Sequence, residues 1–190
     1  MKKPDVFQRL RADHARVLAE LNALERAAGI ATPPRGRARA AAKPRDAAAR
    51  SRVNGAELRR VLALMAAQFD THMAAEDEAL FPALARALPE TLGRLEPFEA
   101  EHQELRSMLA SLESLARQSG GPTRDEQIAV QARDFVDLLR IHVRKEEAVV
   151  FRVAEQVLAP AELDRVANRV TRGAIDRPHR TRVTTKGQRS

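Results

Sequence analysis

The sequence predicts an all-α fold, an antiparallel up-down four-helix bundle, on three observations. Its 190 residues are rich in Ala, Leu, Arg and Glu but hold six Phe and no Tyr or Trp, a balance that favours helix. Apolar residues recur at three- and four-residue intervals over four long stretches, the period of one buried helical face. The chain also nearly repeats itself. HMAAEDEALFPALARAL at 72 aligns with HVRKEEAVVFRVAEQVL at 142, and DHARVLAELNALE at 13 with EHQELRSMLASLE at 101. These offsets, 70 and 88, differ by 18, close to the length of a basic stretch between the first two helices. Without that stretch the chain is two copies of one helical hairpin joined by short polar links.

The first helix is expected over about residues 5 to 28, with Leu10, Val17, Leu21 and Leu24 on one face and Gly29 as its stop. The second runs from about 53 to 88 on Leu58, Leu62, Met65, Phe69, Leu80 and Leu84, and Pro82 should kink it or break its hydrogen-bond ladder. The third, about 95 to 117, carries Leu95, Phe98, Leu105, Leu109, Leu112 and Leu115 and ends at the glycine pair 120–121. The fourth, about 124 to 158, carries Ile128, Phe135, Leu138, Val149, Val153 and Val157. Pro160 then opens a short piece, AELDRVANRV. Residues 1–170 are thus expected to form the bundle domain.

Charge is unevenly placed. Residues 33–52 and 166–190 each carry seven basic groups and one acid, so together they hold +12 of a net +7 and leave the body at −5. Both stretches lack clear apolar periodicity, so 33–52 reads as a flexible basic insertion and 171–190 as a disordered basic tail. Solvated charge is preferred there to a nucleic-acid contact. The chain has no cysteine, which excludes disulfides, thiolate metal sites and Cys nucleophiles. MKKPDVFQRL lacks an apolar run behind its lysines, and no segment approaches a membrane span. A cytoplasmic protein without membrane contact is expected.

Polar residues interrupt the apolar stripes at six places. His72 and Glu76 fill the gap between Phe69 and Leu80, and His142 and Glu146 repeat the pattern one turn apart in the fourth helix. His14 falls between Leu10 and Val17, and His102 between Phe98 and Leu105. One inward histidine is ordinarily a hydrogen-bonded packing residue, and one His/Glu pair a surface ion pair. Four inward histidines with two inward carboxylates, placed symmetrically, need partners or a metal. The fifth histidine, His179, lies in the tail and reads as solvent-exposed.

The donor set His14, His72, Glu76, His102, His142 and Glu146 suits iron, manganese or zinc. It is larger than one tetrahedral zinc requires. If both glutamates bridge, each of two metals receives two histidines and two carboxylate oxygens. A solvent oxygen between them makes each five-coordinate and leaves a position open to dioxygen, peroxide or nitric oxide.

The pattern His14, His72-x-x-x-Glu76, His102, His142-x-x-x-Glu146, with ALFP and VVF after the pairs, resembles the hemerythrin-like HHE cation-binding family over about residues 5 to 158. That resemblance implies two non-haem iron ions bridged by Glu76 and Glu146 and by a solvent oxygen. Oxygen-carrying hemerythrins have a further histidine where this chain has Arg106, and an aspartate where it has Glu147. The four-His, two-Glu set is more similar to bacterial HHE proteins linked to iron-centre repair, nitrosative stress or peroxide handling. The expected function is binding or reducing a small oxidant in stress defence or sensing, with carrier and catalyst both open and no catalytic residue assigned. The alternative is an iron-responsive regulatory or nucleic-acid-associated module.

Overall fold

A computed structural model describes residues 6–30 and 53–173. The basic stretch 33–52 and the tail beyond Gly173, with His179, lie outside the described residues. Among the described residues the fold is all-α, with helices α1 (Val6–Ala27), α2 (Gly55–Ala75), α3 (Phe81–Ala87), α4 (Leu92–Arg117), α5 (Pro122–Lys145), α6 (Phe151–Val157) and α7 (Pro160–Gly173). The four long helices close a ring in which α1 packs on α2, α2 on α4, α4 on α5 and α5 back on α1. This is the four-helix bundle that the repeat predicts.

Local chemistry sets the helix ends. Gly29 has φ 72°, a left-handed conformation that a side chain would strain. It lets Gly29 N–H donate to the Arg26 carbonyl (3.2 Å) and Ile30 N–H to the Glu25 carbonyl (2.9 Å), the paired bonds of a Schellman stop. The chain returns beside the same helix end, where Asn54 N–H donates to the Ala27 carbonyl at 2.8 Å. Asn54 Oδ1 then accepts from Glu57 N–H and caps α2. Helix α5 opens on Pro122, whose missing N–H costs nothing at a first helical position. Helix α4 begins at Leu92, earlier than expected, and so contains Pro97 in its second turn, where the proline removes one bond of the helical ladder.

The second and fourth helices are not continuous. Each is interrupted by one π-helical turn, Glu76–Leu80 and Glu146–Val150. In each, the phenylalanine just after the turn, Phe81 or Phe151, donates its N–H to the carbonyl of the glutamate that opens it. Pro82 is therefore not the cause of the break, since Arg152 holds the matching place in the second half and the same turn forms there.

The extra residue in the turn rotates everything after it. Val149, expected on the buried stripe, is 54% exposed, and Val153 and Val157 are only partly buried. The inward positions pass to Val150, Phe151, Ala154 and Leu158. Leu138 likewise lies at the margin, with Val136 and Leu139 buried instead.

Two apolar clusters result. One, around Leu21, Leu24, Leu58, Leu62, Leu112 and Phe135, fills the bundle on one side of the histidine level. The other, around Phe7, Leu10, Leu80, Phe81, Phe98 and Phe151, fills the opposite side and takes Val166 and Val170 from α7. The polar layer between them is walled from water at both ends.

Candidate metal centre

All six sequence-predicted residues meet in that layer. Glu76, Glu146 and His102 are fully buried, and His14, His142 and His72 are 3%, 2% and 9% exposed. Helix α1 supplies His14, α2 His72, α4 His102 and α5 His142, while each glutamate opens a π-helical turn. Such turns recur at functional sites because one inserted residue re-aims the side chains beyond it.

Every imidazole points Nε2 inward. His72 Nε2 lies 2.8 Å from His14 Nε2, and His102 Nε2 lies 3.1 Å from His142 Nε2. The glutamates join the two histidine pairs. Glu76 places Oε1 3.2 Å from His72 and Oε2 3.6 Å from His102. Glu146 places Oε2 3.2 Å from His14 and 3.5 Å from His142, with Oε1 4.0 Å from His102. Ligand atoms of His14, His72, Glu76 and Glu146 lie within 4.8 Å of one another, as do those of His102, His142 and Glu146.

The carboxylates test whether a metal fits. Both oxygens of Glu76 and both of Glu146 are buried and accept no hydrogen bond. A buried carboxylate left bare is among the costliest groups a core can hold. Four unsatisfied oxygens facing four imidazole nitrogens, all N/O donors with no thiolate, form a set that borderline divalent metals such as iron, manganese and zinc take.

The outer nitrogens reveal four residues outside the predicted donor set, of which only Glu147 was named from the sequence. Glu147 Oε1 lies 2.9 Å from His14 Nδ1, Asp77 Oδ1 2.6 Å from His102 Nδ1, and Glu101 Oε2 2.9 Å from His142 Nδ1. Asp13 Oδ2 lies 3.9 Å from His72 Nδ1. Such carboxylates fix the imidazole tautomer, leave Nε2 free to bind a metal, and strengthen it as a donor. Arg106 Nη2 holds the far oxygen of Asp77 at 2.8 Å, so this arginine supports His102 at one remove. Lys145 holds Glu101 in the same way.

The signal for these carboxylates was present in the repeat. Asp13 and Glu101 each precede a candidate histidine, Asp77 and Glu147 each come directly after a candidate glutamate, and the pairs match at the offsets of 88 and 70.

Electrostatics agree with this layout. Burial alone would lower the His72 pKa, but the charge of Glu76, with Asp13 and Glu146, reverses this and lifts it to about 10. His142 is raised in the same way, burial opposing and Glu146 and Glu101 prevailing. Burial pushes Glu146 up, yet His14 and His142 beside it hold its carboxyl below the usual range. Asp13, Asp77 and Glu101 are also lowered, each against burial, by the histidine it faces and by neighbouring Arg or Lys. Without metal, protons on His72 and His142 balance the glutamates. A cation replaces those protons.

A four-helix bundle that closes two apolar clusters over a layer of four histidines and two glutamates defines a helical metal-binding protein. Residues 5–154 match the Hemerythrin HHE cation binding domain, and the chain belongs to that family. No curated protein matches the chain. Members of the family generally bind non-haem iron and small diatomic ligands such as dioxygen. Among the described residues, no helix is long and apolar enough to cross a membrane.

Proposed function

We propose that this chain is a cytoplasmic non-haem di-iron protein that binds or reduces a small oxidant in stress defence or sensing. His14 and His72 would hold one ion, His102 and His142 the other, and Glu76 and Glu146 would be shared. The observation that carries this reading is the set of four buried carboxylate oxygens without a hydrogen bond, spanning both histidine pairs. Held there as two ferrous ions, iron would supply two electrons, the number needed to convert hydrogen peroxide and two protons into two waters.

The protein's own part is positional. Glu147, Asp77 and Glu101 keep three imidazoles with Nε2 inward. Phe151 stacks on His14 at 5.4 Å between ring centroids and Phe81 on His102 at 5.6 Å, which excludes water from their faces. Arg106 is engaged by Asp77 outside the layer and adds no donor to the centre.

Metal analysis of protein made under iron-replete conditions, with an optical spectrum before and after adding oxygen or peroxide, tests this. Two irons per chain and an oxidant-dependent spectrum are expected. One tightly held zinc, or no metal, would overturn the reading.

A further inference from the structure

The four imidazoles of the centre are alike on their inner side and unlike on their outer side. Three have a carboxylate within hydrogen-bonding distance of Nδ1: Glu147 at 2.9 Å from His14, Asp77 at 2.6 Å from His102, and Glu101 at 2.9 Å from His142. His72 does not. Asp13 Oδ2 stops 3.9 Å away, too far for a hydrogen bond, and His72 Nδ1 is buried without a partner. Gln68, one turn earlier on the same helix, does not take over, since its Oε1 is also buried and unbonded.

The repeat shows why this corner falls short. Asp13 and Glu101 hold matching places 88 residues apart, but the aspartate is one methylene shorter. The two are also tethered differently. Lys145 holds Glu101 from α5, the helix that carries His142, and so draws the carboxylate towards that imidazole. Arg16 holds Asp13 at 2.8 Å from α1 itself, and that tether does not draw it towards α2. The mate of Lys145 in the first half is Ala75, which has no charge to offer. His72 is also the most exposed of the six central residues, at 9%. It forms part of the wall of a cleft of about 270 Å³ with Arg9, Asp13 and Val170.

A carboxylate on Nδ1 fixes the orientation of a ligating imidazole and strengthens Nε2 as a donor, and loss of that partner typically weakens metal binding about 10- to 100-fold. Within the di-iron function proposed above, on which this inference rests, Glu76 and Glu146 are shared. Each ion then has two imidazoles and the same two carboxylates, so the inner donors cancel and the outer bonds decide. An opposing effect comes from the side chains as they stand, which gather four donor residues around His14 and His72 and three around His102 and His142. That difference vanishes once both carboxylates turn to bridge.

We propose that Asp13, by leaving His72 loosely held, makes the two metal positions unequal. The His102/His142 position fills first and empties last, and the His14/His72 position is the one that exchanges its ion. Asp13 touches no metal in this scheme and acts through His72.

Zinc added stepwise to protein with nitrogen-15 in its histidine rings tests this without any redox step. The first equivalent should move the Nε2 resonances of His102 and His142, and the second those of His14 and His72. A competing chelator should remove the two ions in two steps about tenfold or more apart, with His14 and His72 giving up theirs first. Asp13→Glu supplies the missing methylene and should tighten the weaker step about tenfold, while Glu101→Asp should weaken the tighter step by a similar factor. Helicity and the melting temperature of the metal-free protein should stay at the parent values in both variants. Release in a single step, or His14 and His72 keeping their ion longest, would overturn the inference and leave the two-ion reading standing. A well-folded Asp13→Glu protein that releases both ions as the parent does would overturn the part given to Asp13. Uptake of one zinc alone, on His102 and His142, would overturn the two-ion reading and support the ranking. Uptake of neither zinc nor iron would overturn both.

Discussion

Asp77 shows how far one exposed-looking acid can act on a buried centre. It comes directly after Glu76 in the sequence and sits about a quarter exposed, yet its two oxygens hold His102 on one side and Arg106 on the other. The six central residues were legible because a polar side chain in an apolar stripe is conspicuous. The outer carboxylates were not, since Asp or Glu beside a stripe reads as ordinary solvated surface, and only their recurrence at the repeat offsets distinguishes them. Asp77→Asn keeps the shape but lets the side chain offer an amide to His102, so the tautomer is no longer enforced. Iron affinity, measured by competition with a chelator, should fall about 10- to 100-fold with helicity unchanged. The central histidines should be less forgiving. His72→Ala or His142→Ala should remove most of the iron from purified protein, while His179→Ala in the tail should remove none.

At the scale of the elements, helical period predicted all four long helices, and Gly29 marked the end of the first. The period held after Glu76, where Leu80 and Leu84 are buried as expected, and failed after Glu146, where the stripe expected on Val149 passes to its neighbours beyond the π-helical turn. Hence Val150 and Phe151 point inward where Val149 was expected. No composition signal marks such a turn, and Pro82, the one visible irregularity, has no counterpart in the second half.

Helix α7 lies outside the family match yet packs on α1, α2 and the first π-helical turn. It buries Val166 and Val170 and adds ion pairs from Glu162 to Arg86 and from Arg169 to Glu78. Burying two valines is worth about 3 kcal/mol or more before the cost of ordering the helix. Truncation after Leu158 should therefore lower the melting temperature by roughly 5 °C or more. Because Val170 lines the cleft beside His72, it should also speed iron loss to a chelator. Truncation after Gly173 should change neither quantity. A large fall in melting temperature from that shorter cut would show that the basic tail packs on the bundle.

For the whole molecule, the centre is the place where the fold is least satisfied without metal. Two apolar clusters meet across a layer of uncapped carboxylates, so a cation that binds only the folded chain adds its binding energy to stability. The direction of each shift sets the pH dependence of the metal-free protein. Glu146, Asp13, Asp77 and Glu101 have lowered pKa values, so their contribution is present above about 4.5 and is lost as pH falls through the folded values. His72 and His142 are raised, so theirs is complete below about 6.5 and is lost as pH rises, for His72 through about 10. Metal-free protein should thus melt highest between these limits and lower as pH climbs from about 6.5 towards 9. Iron reverses the trend, since it takes the nitrogens that protons would otherwise occupy. Its binding near neutrality should release protons, measurable in weakly buffered solution, and its stabilisation should grow with pH and shrink in acid. Thermal melts of iron-loaded and chelated protein across this range should show a gap that widens with rising pH. Equal melting temperatures at pH 7 would mean that the six residues do not form a metal core.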